Sequence, residues 1–200
     1  LVGSEMCIRD STITDAKVLG MVIYIPAYAA TCNPLDELES RNQMALTDMY
    51  FDMFTYGEYS SYMMAKMKNE NNLPKMLDGD LELLKKNKVD WLSLSYYFST
   101  VASHGKLSIE MNGNAKAATN PYLKASEWGW QIDPLGLRIG LRDIYAKYRL
   151  PIMVVENGFG MRDILENETV IDDTRIDYMK DHLEQIALAC LLYTSPSPRD

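Results

Sequence analysis

The chain has 200 residues, a net charge of −8 and a hydrophobic content of 47%. An acidic body without a basic cluster argues against nucleic acid or an anionic membrane as a partner, and no apolar run is long enough to span a bilayer. Of the three cysteines, Cys7 and Cys190 lie near the ends; Cys32 alone in the body supports neither a disulfide framework nor structural zinc, which makes a reducing, cytoplasmic setting the default expectation.

The first segment, residues 1–11, is best read together with the last, 190–200. DNA able to encode Leu1–Asp10 and DNA able to encode Cys190–Asp200 are reverse complements in shifted frames, apart from short overhangs, and Ser11 fits the match. Unrelated protein termini do not share such a relation. The DNA resembles a transposase-type sequencing-library adapter, so both segments are expected to be artefact tails and are set aside from fold reasoning. The remaining span, Thr12–Ala189, is expected to begin and end where a DNA insert did.

Lys17–Pro26 reads as a buried-type strand stopped by its proline. Asn33-Pro34 predicts a helix over about 35–50, with Asn33 as N-cap and Pro34 in the first turn. Ser60–Asn71 and Leu81–Lys86 read as two further helices, the Met-rich first one a packing face. Val89–Tyr97 is the second strand. Ser99–Asn120 has no clear period and reads as a long, functional-type loop. Asp133-Pro134 caps a helix whose apolar face is Leu137, Leu141, Ile144, Tyr145 and Tyr148. Pro151–Val155 is a wholly apolar strand of the kind covered on both faces. A last helix over about 174–189 turns Ile176, Met179, Leu183, Ile186 and Ala187 inward.

Strand, helices, strand, helix, strand, helix implies parallel strands joined by right-handed crossovers, an α/β architecture. No GxGxxG or Walker A pattern follows a strand, which removes the best support for a nucleotide-binding doubly wound fold. In parallel α/β folds the chemistry sits at strand C-termini. Glu156, delivered by the Pro151–Val155 strand and followed by the turn-permissive Asn157-Gly158, is therefore a candidate catalytic carboxylate.

Taken as a set, the motifs resemble glycoside hydrolase family 1. Val155–Gly158 is similar to that family's nucleophile motif, and Ser95-Tyr96-Tyr97 to its Asn-Tyr-Tyr at the end of the sixth barrel strand. Gly129-Trp130 followed by Asp133–Leu137 resembles the segment leading into the helix before strand seven. Asp172–Tyr178 with His182 resembles the start of the helix after strand seven, and Gly57–Tyr62 a Gly-Glu-Tyr-Pro-Ser-Tyr segment. The resemblance covers essentially all of Thr12–Ala189. Ser126–Pro134 and Val155–Gly160 look most like bacterial 6-phospho-β-glucosidases. Two departures stand out: Ser95 replaces the Asn of Asn-Tyr-Tyr, and Ser60 replaces the Pro.

The resemblance implies a partial (β/α)8 barrel, about strands five to seven with their helices, since a closed barrel needs about 250 residues. It implies a retaining β-glycosidase in which Glu156 is the nucleophile, Tyr97 donates to it, and Ser95, Trp128 and Trp130 contact substrate. The substrate is expected to be a β-glucoside, 6-phosphorylated, with no cofactor. The acid/base Glu is expected before Thr12 and the phosphate-binding Ser, Lys and Tyr after Ala189, so the chain by itself is expected to be inactive. A plain β-glucosidase, a 6-phospho-β-galactosidase and a non-catalytic sugar-binding relative are the alternatives. His104 and His182 read as structural, Cys32 as inert. Asp78, Asp80 and Glu82 lack the EF-hand spacing, so no metal is expected.

Overall fold

The parallel sheet at the centre is built from strands that arrive by helical crossovers, as the alternation of elements requires. The computed structural model describes residue 15 and residues 17–105, 109–112 and 115–193, with the backbone alone at 109–112, 115–118 and 191–193. Its elements are β1 (Leu19–Ile23), β2 (Ala27–Ala29), α1 (Pro34–Tyr56), α2 (Ser61–Asn69), α3 (Asp80–Lys86), β3 (Trp91–Tyr96) and β4 (Thr100–Ala102). There follow β5 (Ile109–Asn112), β6 (Ala115–Ala118), α4 (Pro134–Tyr148), β7 (Ile152–Asn157), β8 (Leu165–Glu166), β9 (Thr169–Val170) and α5 (Asp173–Tyr193). The segment 1–11 and residues 194–200 of the second predicted tail lie outside the described residues; α5 runs on past Ala189 to Tyr193.

Strands β1, β3 and β7 pair in parallel in the order β1-β3-β7. Alternate side chains of a strand face opposite ways, and the helices cover one face only. On that face Val22, Leu92, Leu94 and Tyr96 pack with Phe51 of α1 and Leu137, Ile144 and Tyr148 of α4; Ile152, Val154 and Ile186 complete the cluster. The opposite face carries Leu19, Met21 and Ile23, 44%, 50% and 57% exposed, and Met153 and Val155, both 42% exposed. The expectation that Pro151–Val155 is covered on both faces is thus corrected. Crossover helices screen one side of a parallel sheet, while the inner side of a barrel is covered only once the ring of strands closes.

The β3–β7 ladder carries one irregularity that matters for the site. Leu94 pairs with Val154, but the next residue, Ser95, pairs with Glu156, so Val155 is an extra residue in β7.

Helix starts follow their caps. Asn33 Oδ1 accepts from Leu35 N at 3.1 Å, Ser60 Oγ from Met63 N at 3.3 Å, and Asp133 Oδ1 from Gly136 N at 2.8 Å. Helix α1 runs past the expected stop at Tyr50 to Tyr56, where Gly57 supplies the left-handed φ of 71° that ends it. The Met-rich segment packs Met63 and Met67 on Met49.

Two expectations fail. Part of the predicted loop Ser99–Asn120 is a second sheet of order β2-β4-β6-β5, whose short strands show no alternation long enough to read. Helix α5 buries Tyr178, His182 and Ala189, while Ile176, Met179 and Leu183 are 60%, 39% and 58% exposed. Of the expected stripe only Ile186 packs on the core; the stripe buried along the helix is the one whose polar tips, Tyr178 Oη and His182 Nδ1, find partners.

Candidate active site

The C-terminal ends of β3 and β7 bring the predicted residues together. Tyr97, one residue beyond β3, donates from Oη to Glu156 Oε2 at 2.7 Å. That bond, and then one from Ser95, holds the Glu156 carboxyl below its ordinary range and so favours the ionised form. The same contact raises the Tyr97 phenol. Ser95, expected to touch substrate, is fully buried beside Met21 Sδ at 3.7 Å and serves Glu156 from below. Tyr96 alternates to the helix face, where its Oη donates to the Asp133 carbonyl at 2.5 Å and burial pushes its phenol up.

An aromatic wall continues from Tyr97. The Trp130 ring lies 5.5 Å from Tyr97 and 5.4 Å from Phe98, and Trp128 meets Trp130 edge-on at 5.8 Å. Ser126 Oγ orders this turn by accepting from Trp128 N at 3.2 Å and Trp130 N at 3.3 Å. Trp128 remains 50% exposed. Together with Tyr97 and residues 158–163, the two indoles line a hollow of about 690 Å³. A flat, partly exposed aromatic wall beside an ionised carboxylate suits a ligand with an apolar ring face and an electrophilic carbon.

Three residues that the sequence reading placed in motifs, without assigning them to the site, support it. Arg175 of α5 holds the loop after Glu156: it donates to the carbonyls of Phe159 at 3.5 Å and Met161 at 2.9 Å, and to Asp163 at 2.5 Å and Asp172 at 2.7 Å. Asn157 donates to the Tyr96 carbonyl at 2.8 Å and to Tyr178 Oη at 3.1 Å. Tyr178 donates to the Tyr97 carbonyl at 3.1 Å. The Asp172–Tyr178 motif was the available signal for Arg175 and Tyr178, but it did not say what either side chain touches.

The remaining candidates lie apart. His182 is buried behind Tyr178, its Nδ1 2.7 Å from that residue's carbonyl, and burial lowers its pKa. His104 is exposed and meets Asp36 through its backbone N–H at 2.9 Å. Cys32 is exposed. Among the described residues, no group of three or more His, Cys, Asp or Glu could hold a metal, and no helix is long and apolar enough to cross a membrane.

Known proteins resemble this chain in sequence and in fold. The chain is 39% identical over 210 residues to the aryl-phospho-beta-D-glucosidase BglH of Bacillus subtilis, with 100% of this chain and 45% of that protein covered. It is 42% identical over 198 residues to a 6-phospho-beta-glucosidase of Clostridium longisporum, covering 94% and 42%. Among solved structures, a beta-glucosidase from Exiguobacterium marinum matches with a TM-score of 0.73 at 27% identity, over 92% of this chain and 42% of that one. A family 1 beta-glucosidase from Thermotoga maritima shares the fold with a TM-score of 0.78 at 20% identity, over 95% and 42%. The chain therefore spans less than half the length of the relatives it matches, and its three parallel strands with their helices are part of their (β/α)8 barrel. Residues 5–193 match the family model for glycosyl hydrolase family 1, and the chain belongs to that family.

Proposed function

We propose that this chain supplies the nucleophile-bearing part of a retaining β-glycosidase, and that the complete enzyme cleaves 6-phospho-β-glucosides. The observation that carries the reading is the Tyr97–Glu156 pair, a carboxylate held ionised by a phenol at 2.7 Å on neighbouring strand tips. In the proposed reaction Glu156 attacks the anomeric carbon while the bond to the aglycone oxygen breaks, and a second carboxylic acid protonates that oxygen. Water then attacks the glycosyl ester, gives its proton to the second carboxylate and releases Glu156. Trp128 and Trp130 offer indole faces to the sugar and aglycone. The second carboxyl group and the phosphate donors are assigned to parts of the enzyme outside residues 12–189, so residues 1–200 alone should not turn over. Residues 1–11 and 190–200 are, in the same reading, translated adapter; resequencing unamplified genomic DNA should replace both, and recovering them unchanged would refute it.

The preference for a phosphorylated sugar is supported by relatives at 39% and 42% identity that are named for phospho-β-glucosidase activity. A sugar phosphate needs paired charged donors, each worth roughly 1.5–3 kcal/mol. Two or three such bonds predict a kcat/KM for an aryl 6-phospho-β-glucoside at least about a hundredfold above that for the plain glucoside in the full-length enzyme. Equal rates would move the protein to the plain β-glucosidase reading. In the same enzyme, Glu156→Ala should cut turnover by several orders of magnitude, and azide should partly restore it as a glycosyl azide of inverted configuration. Near-normal turnover of the variant would remove Glu156 from the mechanism.

A further inference from the structure

The Tyr97–Glu156 contact joins two strands where their ladder is running out. The last paired residues are Tyr96 and Asn157, two residues beyond the extra residue Val155. Past that point the strand tips are tied by side chains. The Tyr178 hydroxyl donates its one proton to the Tyr97 carbonyl at 3.1 Å and accepts from Asn157 Nδ2 at 3.1 Å and from the Gly158 N–H. The second Asn157 proton goes to the Tyr96 carbonyl at 2.8 Å. One oxygen thus touches the backbone of the residue that donates to the carboxylate and the two residues that follow the carboxylate.

The ring that carries this oxygen is held independently of it. Tyr178 is 3% exposed, stacks on His182 at 3.9 Å and meets Phe159 at 5.2 Å. A core tyrosine needs one partner for its hydroxyl; this one has three, all next to the Tyr97–Glu156 pair. We propose that Tyr178 is a positioning residue: its hydroxyl spans the ends of β3 and β7 and sets the separation at which Tyr97 meets Glu156. The inference rests on the reading of Glu156 as the nucleophile.

Glu156 is faced by Tyr97 and Ser95 of the β3 end, and the joint behind it by Tyr178, His182 and Asp133. Weakening the Tyr97 bond removes the first of the contacts that hold the Glu156 carboxyl down, so its pKa rises and the acid limb of kcat/KM moves to higher pH. In the full-length enzyme, Tyr178→Phe keeps the ring and should lower kcat/KM by roughly ten- to a hundredfold, mostly in kcat. It should raise the acid limb by about half to one pH unit. Tyr97→Phe should raise the limb too, and adding Tyr178→Phe to Tyr97→Phe should move it little further.

An unmoved limb in Tyr178→Phe, or an equal shift in the Tyr97→Phe background, overturns the proposal; the second result would mean that Tyr178 acts elsewhere, His182 included. If Tyr178→Phe loses its native near-ultraviolet circular dichroism, Asn157→Ala, which leaves the Tyr178 ring in place, must move the limb in the same direction, and an unmoved limb there is equally fatal. Labelling of Glu156 in the wild-type enzyme by a 2-deoxy-2-fluoroglycoside separates the two readings. No label on Glu156 defeats the proposed function itself, whereas a labelled enzyme with an unmoved limb defeats only the role of Tyr178.

Discussion

Glu156 was legible because a carboxylate at the end of an apolar strand is unusual, and Tyr97 because it sits at the tip of the neighbouring strand. Their supports were not. Ser95 was singled out but given the wrong role, and Asn157, Arg175 and Tyr178 act across sequence separations that no local pattern encodes; Tyr178 reaches Tyr97 from 81 positions away. One further residue shows how closely the aromatic wall is fitted. A Cβ built on Gly160 would come within 2.2 Å of Trp128 Cε3, so Gly160→Ala should push that indole out of the hollow. The expected result is a KM for aryl substrates raised by about three- to tenfold with a smaller change in kcat, since binding contacts are lost while Glu156 is untouched. An unchanged KM would show that Trp128 does not contact the aglycone.

At the scale of elements, caps and prolines were readable because their chemistry is local. Asn33, Ser60 and Asp133 each sit where the sequence placed a helix start. The second sheet escaped because its described pairs are short, with only one register pair between β4 and β6. The buried stripe of α5 was misread because two apolar stripes compete and only tertiary partners decide between them. Asp133 carries more than a cap: it accepts from Gly136 N at 2.8 Å and Tyr28 Oη at 2.8 Å, and its carbonyl from Tyr96 Oη at 2.5 Å. Asp133→Ala removes the cap and leaves the half-buried Tyr28 hydroxyl without its acceptor. A loss of about 2 kcal/mol is expected in denaturant unfolding of the full-length enzyme. A loss well under about 1 kcal/mol would mean that water replaces the carboxylate without cost.

For the molecule as a whole, the dominant fact is the uncovered sheet face of Leu19, Met21, Ile23, Met153 and Val155. Contiguous apolar surface of this kind drives association in water. Purified residues 1–200 should therefore self-associate at micromolar concentration, visible as a concentration-dependent weight in sedimentation. Met21→Ser with Ile23→Ser should reduce that association while leaving the far-ultraviolet circular dichroism unchanged. A monomeric wild-type chain would show that the face is covered in some other way.

The extra residue in β7 has a consequence in odd and even counting. Leu94 and Val154 both look toward the helices, so in an unbroken register Val155 would pair with Ser95 and Glu156 with Tyr96, turning the carboxylate into the packed layer. The bulge at Val155 resets the count by one, and Glu156 emerges on the side where Tyr97 waits. Any graft of this strand onto another scaffold must therefore carry the miscount with it. Straightening the bulge while keeping every residue would leave every chemical group in the sequence and turn the Glu156 carboxylate into the packed layer.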